Sequence, residues 1–247
     1  MPELPEVETT KRGVEPYVKN ETIKKILVRN NKLRIPFNKN LAKKIINVDI
    51  KEIKRRAKYI IFEFVNGYSV VIHLGMTGNL RVSKKIKYLK HDHIVFYLSS
   101  GNVLIYNDVR RFGLIQIYKT KESYFLLDNN GPDPFEKEAN ADYLFSRIKN
   151  STASIKSILL NHKIISGIGN IYASEILFAT NISPTRIGKK ISYDECKNIL
   201  IESKKILRKA IKAGGTTLND YFNAESKPGY FKTVSYTHLT LPTTYHV

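Results

Sequence analysis

The first residues of the chain have the side chains that covalent catalysis on a sugar would need. The sequence opens with MPELPEVE, which places a proline at position 2 and carboxylates at Glu3 and Glu6. Loss of the initiator methionine would leave Pro2 with a free secondary amine, and an α-amino group of pKa about 7.7–8.0 is partly neutral near pH 7. Such an amine can attack the anomeric carbon of a sugar while Glu3 transfers protons. Glu6 lies one helical turn further on, although on spacing alone an ordinary capped helix is the better interpretation.

The balance of charges is the second feature that points to function. The chain has 41 Lys and Arg against 22 Asp and Glu, a formal net charge of +19. Basic surfaces gain affinity for polyanions by releasing counterions from phosphates, although a compositional bias towards Lys, Ile and Asn would also raise the charge. The stretch KEIKRRAKY lies beside strand-like segments rather than in a tail, which indicates a charged face on a folded body. The charge favours a nucleic acid as partner.

Composition excludes several classes of protein. The 247 residues, 42% hydrophobic and 26% charged, are typical of a globular protein with one large or two ordinary domains. No apolar run is long enough to span a bilayer, and the acidic start is unlike a secretory signal. Cys196 is the single cysteine, which excludes an intramolecular disulfide and a metal site with several cysteines. We expect a cytoplasmic protein without membrane contact.

Periodicity divides the chain into two parts. A helical pattern over residues 4–14 is followed by strand patterns with hairpin turns at residues 66–67 (NG) and 99–102 (SSGN). This block ends near Asp128 and predicts an antiparallel sandwich or barrel with one helix. A Gly- and Pro-containing linker, NNGPDPFEKE, precedes segments with helical spacing. The predicted fold class is α+β, with an N-terminal β-sandwich domain at 1–130 and an all-helical domain at 131–233.

Six short motifs carry information about function that the periodicity does not. PELPEVET, RRAKY, HLGMTG, DVRRFG, SGIGNIYASE and KPGYF occur in this order. Together they closely resemble formamidopyrimidine-DNA glycosylase, the bacterial base-excision enzyme for oxidised purines, and the leucine of PELPE differs from the PEGPE of the endonuclease VIII branch. The resemblance implies a bifunctional glycosylase and AP lyase acting on 8-oxoguanine, formamidopyrimidines and abasic sites in double-stranded DNA. It also implies a monomer that associates with the nucleoid in the bacterial cytoplasm.

The resemblance assigns catalytic roles to residues of these motifs. Pro2 matches the nucleophile that forms the Schiff base, and Glu3 matches the acid that protonates the sugar or base as the ring opens. Lys58, in RRAKY, matches a lysine that contacts phosphate at the lesion. Glu6 is implied to support the site, and Glu175 is a further candidate near the lesion.

A second group of residues is implied to hold the DNA. His73 would contact the phosphate backbone, and Met76 would fill the gap left by the extruded base. Arg110 would contact the orphaned base, and Phe112 would insert between neighbouring pairs. Without the resemblance, two hairpin turns with a buried methionine and phenylalanine are an equal interpretation. Asn170, before a helix, can both cap that helix and donate to phosphate, and it belongs to the helix–two-turn–helix motif of the family.

The end of the sequence departs from the family pattern. Family members usually continue past KPGYF into a zinc finger with two CxxC pairs, whereas residues 234–247 here contain no charged side chain and no cysteine. We expect this tail to be foreign to the family, the zinc finger and its structural zinc to be absent, and no cofactor to be bound. His238 and His246 do not suffice for a closed zinc site. The preceding segment, AGGTTLNDYFNAESKPGYF, is expected to be the loop that closes over an everted purine.

Two alternative functions remain from the sequence. The missing finger would weaken the grip on phosphates, so the chain is either an active glycosylase or a catalytically impaired DNA-binding remnant. An N-terminal-proline enzyme on small carbonyl substrates, such as a tautomerase, is the other class. The basic surface and the SGIGN turn speak against it.

Overall fold

Two four-stranded sheets and a set of helices make up the described part of the chain. The computed structural model describes residues 2–85 and 87–215. Helix α1 (Leu4–Val18) comes first, and the strands follow in chain order: β1 (Ile23–Val28), β2 (Ile50–Arg56), β3 (Tyr59–Phe64), β4 (Tyr68–His73), β5 (Gly78–Ser83), β6 (Asp92–Leu98), β7 (Val103–Asp108) and β8 (Leu114–Lys119). The remaining helices are α2 (Lys39–Ala42), α3 (Thr120–Asp128), α4 (Ala141–Ile148), α5 (Ile155–Leu160), α6 (Asn170–Ala179) and α7 (Tyr193–Lys212). None of these helices is both long enough and apolar enough to cross a membrane.

The strands form an antiparallel sandwich. One sheet has the order β1-β6-β7-β5 and the other β2-β3-β4-β8. Side chains of β3 alternate between the two faces of its sheet. Ile60 and Phe62 enter the core between the sheets, while Ile61 faces outwards. On the outer side, Ile61 packs with Val71 and with Leu127 of α3. The predicted hairpins at residues 66–67 and 99–102 join β3 to β4 and β6 to β7, as expected.

Antiparallel pairing collects three turns at one end of the sandwich. Arg56 pairs with Tyr59, His73 with Leu114, and Gly78 with Asp108. The turns at residues 57–58, 74–77 and 109–113 therefore lie together, and we call this the loop end. The hairpin at residues 65–67 and the chain around residue 50 lie at the opposite end.

Helix α1 joins the sandwich to the helical part of the chain. Val7 packs in the core between the sheets, whereas Leu4 belongs to the core of the helices α4–α7. The Leu4 backbone N–H also donates to the Gly167 carbonyl at 3.0 Å. The first turn of the chain is thus fixed against a turn more than 160 residues away.

The α+β class, with a sandwich followed by helices, is confirmed, but some elements differ from the sequence prediction. The sandwich block contains α2 and α3 in addition to α1, and strand β5 was not predicted. Helix α1 extends past residue 14 because Val18 continues the buried side of Val14. The domain limits at 130 and 233 stay predictions, and the expected lesion loop after residue 215 and the tail at 234–247 lie outside the described residues.

Candidate active site

The carboxylate of Glu3 lies at the beginning of helix α6. Glu3 is 2% exposed, and its Oε2 accepts the Gly169 N–H at 2.7 Å while its Oε1 accepts the Ile171 N–H at 2.9 Å. The first N–H groups of a helix have no partner within the helix, and a side-chain oxygen usually caps them. Asn170 was expected to supply that cap, and this was wrong: the cap position is Gly169, Asn170 is the exposed first helical residue, and Glu3 serves in its place.

Two glycines make this close approach possible. A Cβ atom on Gly169 would lie 2.4 Å from the Glu3 carboxyl carbon, so a larger residue would displace the acid. Gly167 has a φ of +88°, and a Cβ there would lie 2.6 Å from Leu4 Cδ1. The SGIGN turn is therefore shaped by the first residues of the chain that pack on it.

Glu6 fixes Glu3 from the other side. Glu6 Oε2 accepts the backbone N–H of Glu3 at 2.9 Å, and Oε1 accepts the hydroxyl of Tyr172 at 2.7 Å. Tyr172 is fully buried among the helices. Glu175 is also buried and lies on α6, almost one turn beyond Tyr172. The acidic side chains of the chain start are thus held in one orientation by α6.

Burial sets the protonation of Glu3. It raises the pKa of Glu3 to about 7, against the opposing effects of the Lys58 charge and of the Ile171 N–H bond. The pKa of Lys58 is lowered, chiefly by burial, while the charges of Glu3 and Glu6 act in the opposite direction. A carboxyl group with such a pKa is protonated in a large fraction of molecules at neutral pH, so Glu3 can donate a proton there.

Lys58 and His73 line one cavity of about 330 Å³ at the loop end. Tyr59, His162 and Gly167 contribute to the same wall. Burial, together with the charges of Lys58 and Arg34, lowers the pKa of His73 to about 4. The ring is therefore neutral, and because its Nδ1 accepts the Gly75 N–H at 3.1 Å, the proton resides on Nε2. The cavity thus offers an ammonium group and a neutral N–H donor to an anionic oxygen.

Arg55 positions the turn that carries Lys58. Ala57 has a left-handed φ of +53°, and Arg55 donates to its carbonyl at 2.9 Å. The same guanidinium forms ion pairs with Glu8 of α1 and with Asp133 of the segment that leads into the helices. The sequence analysis did not predict this role of Arg55. The RRAKY motif shows that an arginine is present but not that its side chain is buried.

The loop end also presents an aromatic side chain to solvent. Phe112 is 48% exposed, and the guanidinium of Arg110 lies 4.8 Å from the centre of its ring. Met76, on the neighbouring turn, is partly buried. The ring of Phe112 and the cation of Arg110 therefore lie side by side at the surface of the loop end.

Asp108 ties the Met76 turn to the Arg110 turn. Its fully buried carboxylate accepts the Thr77 hydroxyl on one oxygen at 2.6 Å and the Gly113 N–H on the other at 2.9 Å. Thr77 in turn accepts the backbone N–H of Arg110 at 2.9 Å. Burial raises the pKa of the Tyr106 hydroxyl, which therefore stays protonated and donates to Asp108 at 3.1 Å. The two turns form one unit around a single carboxylate.

Comparison with known proteins identifies the family. The formamidopyrimidine-DNA glycosylase N-terminal domain matches residues 1–115, and the formamidopyrimidine-DNA glycosylase H2TH domain matches residues 130–221. The formamidopyrimidine-DNA glycosylase of Hydrogenovibrio crunogenus is 43% identical over 234 residues, which are 94% of this chain and 83% of that protein. The chain belongs to the formamidopyrimidine-DNA glycosylase family. The enzyme class implied by the motifs, a DNA glycosylase of base excision repair, is thereby confirmed.

Solved structures of this family have the same fold. The Lactococcus lactis enzyme in complex with DNA containing N7-benzyl-Fapy-dG superposes with a TM-score of 0.83, at 31% identity over 92% of this chain and 85% of that chain. The complex of the Lactococcus lactis enzyme with DNA containing an abasic site also has a TM-score of 0.83, at 30% identity over 92% of this chain and 84% of that chain.

The structure brings most of the predicted site residues to one region. Pro2 is buried beside Glu3, and Lys58 is close enough for its charge to act on Glu3 and His73. Asn170 is exposed at the start of the helix that holds Glu3. The roles implied for these residues stay predictions. In the described residues, no group of three or more His, Cys, Asp or Glu side chains could hold a metal ion.

Replacement of Gly169 tests the position of the acid. We expect Gly169→Ala to push the Glu3 carboxyl group away and to lower base excision by about 10²-fold, the usual contribution of a general acid. Gly169→Ala combined with Glu3→Asp should recover part of the loss, because the shorter acid leaves room for the methyl group. Gly101→Ala adds a methyl group in open space at a left-handed φ of +82°, so it should lower the melting temperature through backbone strain but keep the wild-type single-turnover rate. Equal losses at Gly101 and Gly169 would contradict the steric explanation.

Replacement of Asp108 tests the link between the two turns. Asp108→Asn places an NH₂ group opposite one of the donors, so we expect a loss of about 1.5–3 kcal/mol in the free energy of unfolding. Excision of a stacked damaged base should fall more than cleavage at an abasic site, which has no base to extrude. Asp49→Asn is the control for the ratio of activities, because Asp49 is exposed and accepts the Thr22 hydroxyl at 2.5 Å away from the loop end. Urea unfolding and the ratio of the two activities measure the effects, and an unchanged ratio would show that Asp108 serves stability alone.

Proposed function

We propose that this chain excises 8-oxoguanine and formamidopyrimidines from duplex DNA and then cleaves the strand, with Pro2 as nucleophile. The observation that carries the proposal is the carboxyl group of Glu3, which is buried beside Pro2. Burial raises the pKa of Glu3 to about 7. A proton donor next to an N-terminal amine is the arrangement that displacement of a base from a sugar requires.

The proposed reaction uses Pro2 as the nucleophile and Glu3 as the proton donor. After removal of Met1, the Pro2 nitrogen forms a bond to C1′ of the sugar, and the bond from C1′ to the base breaks. The bond from C1′ to O4′ then breaks as the nitrogen lone pair forms the iminium. Glu3 supplies one of the two protons that the departing base and O4′ take up, and the proton lost by the Pro2 nitrogen supplies the other. The resulting iminium acidifies the C2′ hydrogen, so loss of that proton expels the 3′ phosphate and nicks the strand. Hydrolysis of the iminium then releases Pro2.

The other predicted residues serve to hold the DNA in this proposal. The ammonium group of Lys58 and the Nε2–H of His73 bind phosphate oxygens at the cavity, and Asn170 binds a further phosphate. Met76 and Phe112 occupy the stack after the damaged nucleotide leaves it, and Arg110 contacts the base opposite. The DNA complexes of the Lactococcus lactis relatives and the net charge of +19 support DNA as the partner.

We also propose that the chain acts as a cytoplasmic monomer without zinc. Its single cysteine cannot form the four-thiolate site that two CxxC pairs provide in the family. Glu6 and Glu175 complete the site in this proposal. Glu6 fixes Glu3 by accepting its backbone N–H, and Glu175 is buried on α6.

Borohydride trapping tests the nucleophile. Reduction in the presence of an 8-oxoguanine:cytosine duplex should yield a covalent adduct, and mass mapping should place the reduced sugar on a peptide that begins with Pro2. Pro2→Leu is the control, because the larger residue retains Met1 and moves the amine one residue away. Its melting temperature and its binding to undamaged duplex should match those of the wild type. An adduct on a lysine would overturn the assignment of Pro2.

An abasic duplex separates the two steps of the proposal. Trapping with abasic DNA alone would show that lyase chemistry proceeds while base removal fails. The absence of any adduct, with removal of Met1 verified by intact mass, would instead support a DNA-binding remnant.

The pH dependence of excision tests Glu3. Since the acid acts in its protonated form and its pKa is about 7 without DNA, the single-turnover rate should decline at alkaline pH with a midpoint at or above about 7. The amine acts in its neutral form, so the rate should also fall towards acid pH. Glu3→Gln should lower the rate by about 10²–10⁴-fold and remove the alkaline decline. If the variant keeps that decline, another group is the acid.

A further inference from the structure

The segment between β5 and β6 carries a run of positive charge outside the site. It contains Lys84, Lys85, Lys87 and Lys90 and has no acidic residue before Asp92. We call residues 84–85 and 87–91 the lysine loop. All four lysines are exposed, and within the described part of the chain none of them forms an ion pair with a carboxylate.

The topology carries the lysine loop along the sandwich to the loop end, so that Lys90 lies nearest the site and Lys84 and Lys85 lie furthest from it. Strands β5 and β6 flank β7 and both pair with it antiparallel, so they run in the same direction. The connection must therefore return from the end of β5, opposite the loop end, to the start of β6 at the loop end. There the His91 carbonyl accepts the Asp108 N–H at 3.1 Å, next to the turn that carries Arg110 and Phe112.

The backbone of the lysine loop is anchored. The Arg29 guanidinium lies 4.6 Å from the centre of the Tyr88 ring and donates to the Leu89 carbonyl at 2.8 Å. The Tyr88 hydroxyl lies 2.6 Å from the hydroxyl of Tyr97 on β6. Tyr88 and Leu89 are thus held in place, so the backbone of Lys87 and Lys90 on either side starts from a fixed position, which reduces the entropy lost when these lysines bind an anion.

Folding alone does not account for this arrangement. The one acid at the end of the loop, Asp92, is buried and is already occupied by Arg81 and by the Leu89 N–H. Four like charges on one anchored segment repel one another, and this repulsion is relieved when a polyanion binds. Duplex DNA presents one negative charge per about 1.7 Å of its axis, and a segment of this length spans several of them.

We propose that the lysine loop is an additional DNA-binding surface, in which Lys87 and Lys90 hold phosphates of the duplex arm next to the Arg110 turn. This inference rests on the proposed function, because that function places the duplex at the loop end. The contacts are to phosphate only, so they add affinity without sequence or lesion preference. The loop lengthens the segment of DNA that the enzyme covers.

The salt dependence of binding tests the inference. A variant with Lys87→Gln and Lys90→Gln should bind undamaged duplex with a slope of log K against log salt that is lower by about 1–2, since each phosphate contact contributes about 0.9. The matched control carries Lys43→Gln and Lys44→Gln, two exposed lysines near the opposite end of the sandwich. It loses the same charge and should keep the wild-type slope.

Shortening the DNA locates the contact. Removal of base pairs from one arm of the duplex should weaken wild-type binding more than removal from the other arm. The lysine-loop variant should lose that asymmetry. Equal slopes for both variants, or the same asymmetry in all three proteins, would overturn the inference. Melting temperatures within a few degrees of the wild type exclude misfolding as the cause.

Trapping distinguishes this inference from the proposed function. If wild-type protein forms no adduct but the lysine-loop variant still loses salt dependence, the proposed chemistry fails and the surface stands. If the adduct forms and the slope is unchanged, the chemistry stands and the surface fails.

Discussion

The bond between the Glu3 carboxylate and the beginning of α6 determines much of the site. It joins residues 166 positions apart and satisfies helix N–H groups that Gly169 cannot cap with a side chain. Because a buried carboxylate requires hydrogen-bond partners, the first turn of the chain cannot shift without leaving Glu3 unpaired. Since Glu3 is adjacent to Pro2, the same bond that anchors the chain start also fixes the proposed acid next to the proposed nucleophile.

The sandwich contributes to the site through the direction of its strands. In an antiparallel sheet every second turn lies at the same end, so the residues that follow β2, β4 and β7 meet without any further constraint. Two side chains then fix the turns against one another. Arg55 holds the carbonyl that precedes Lys58, and Asp108 joins the Met76 turn to the Arg110 turn. The side chains at the surface of the loop end can vary while these two residues keep the turns in place.

Local patterns predicted the class of fold but not these links. The NG and SSGN turns and the change of period after residue 130 are signals within a few residues, so the hairpins and the helical part followed from them. Asn170 is a good capping residue by type, yet the cap comes from Glu3, at the other end of the sequence. Helix α3 was not predicted for a related reason. Its Leu127 packs against the outer face of a sheet, and this contact cannot be read from the neighbouring residues in the sequence. The motif DVRRFG contained Asp108, but nothing in it indicated that one carboxylate joins two turns.

Charge in the cavity couples DNA binding to proton donation in the proposed reaction. Without DNA, the positive charge of Lys58 lowers the pKa of Glu3 and opposes burial. A phosphate bound between Lys58 and His73 brings a negative charge that offsets this effect, so the pKa of Glu3 rises and the acid keeps its proton. The neutral state of His73 matters here, because a second cation would act against that rise. The DNA that needs the proton therefore stabilises the protonated acid, and the coupling requires no movement of the protein.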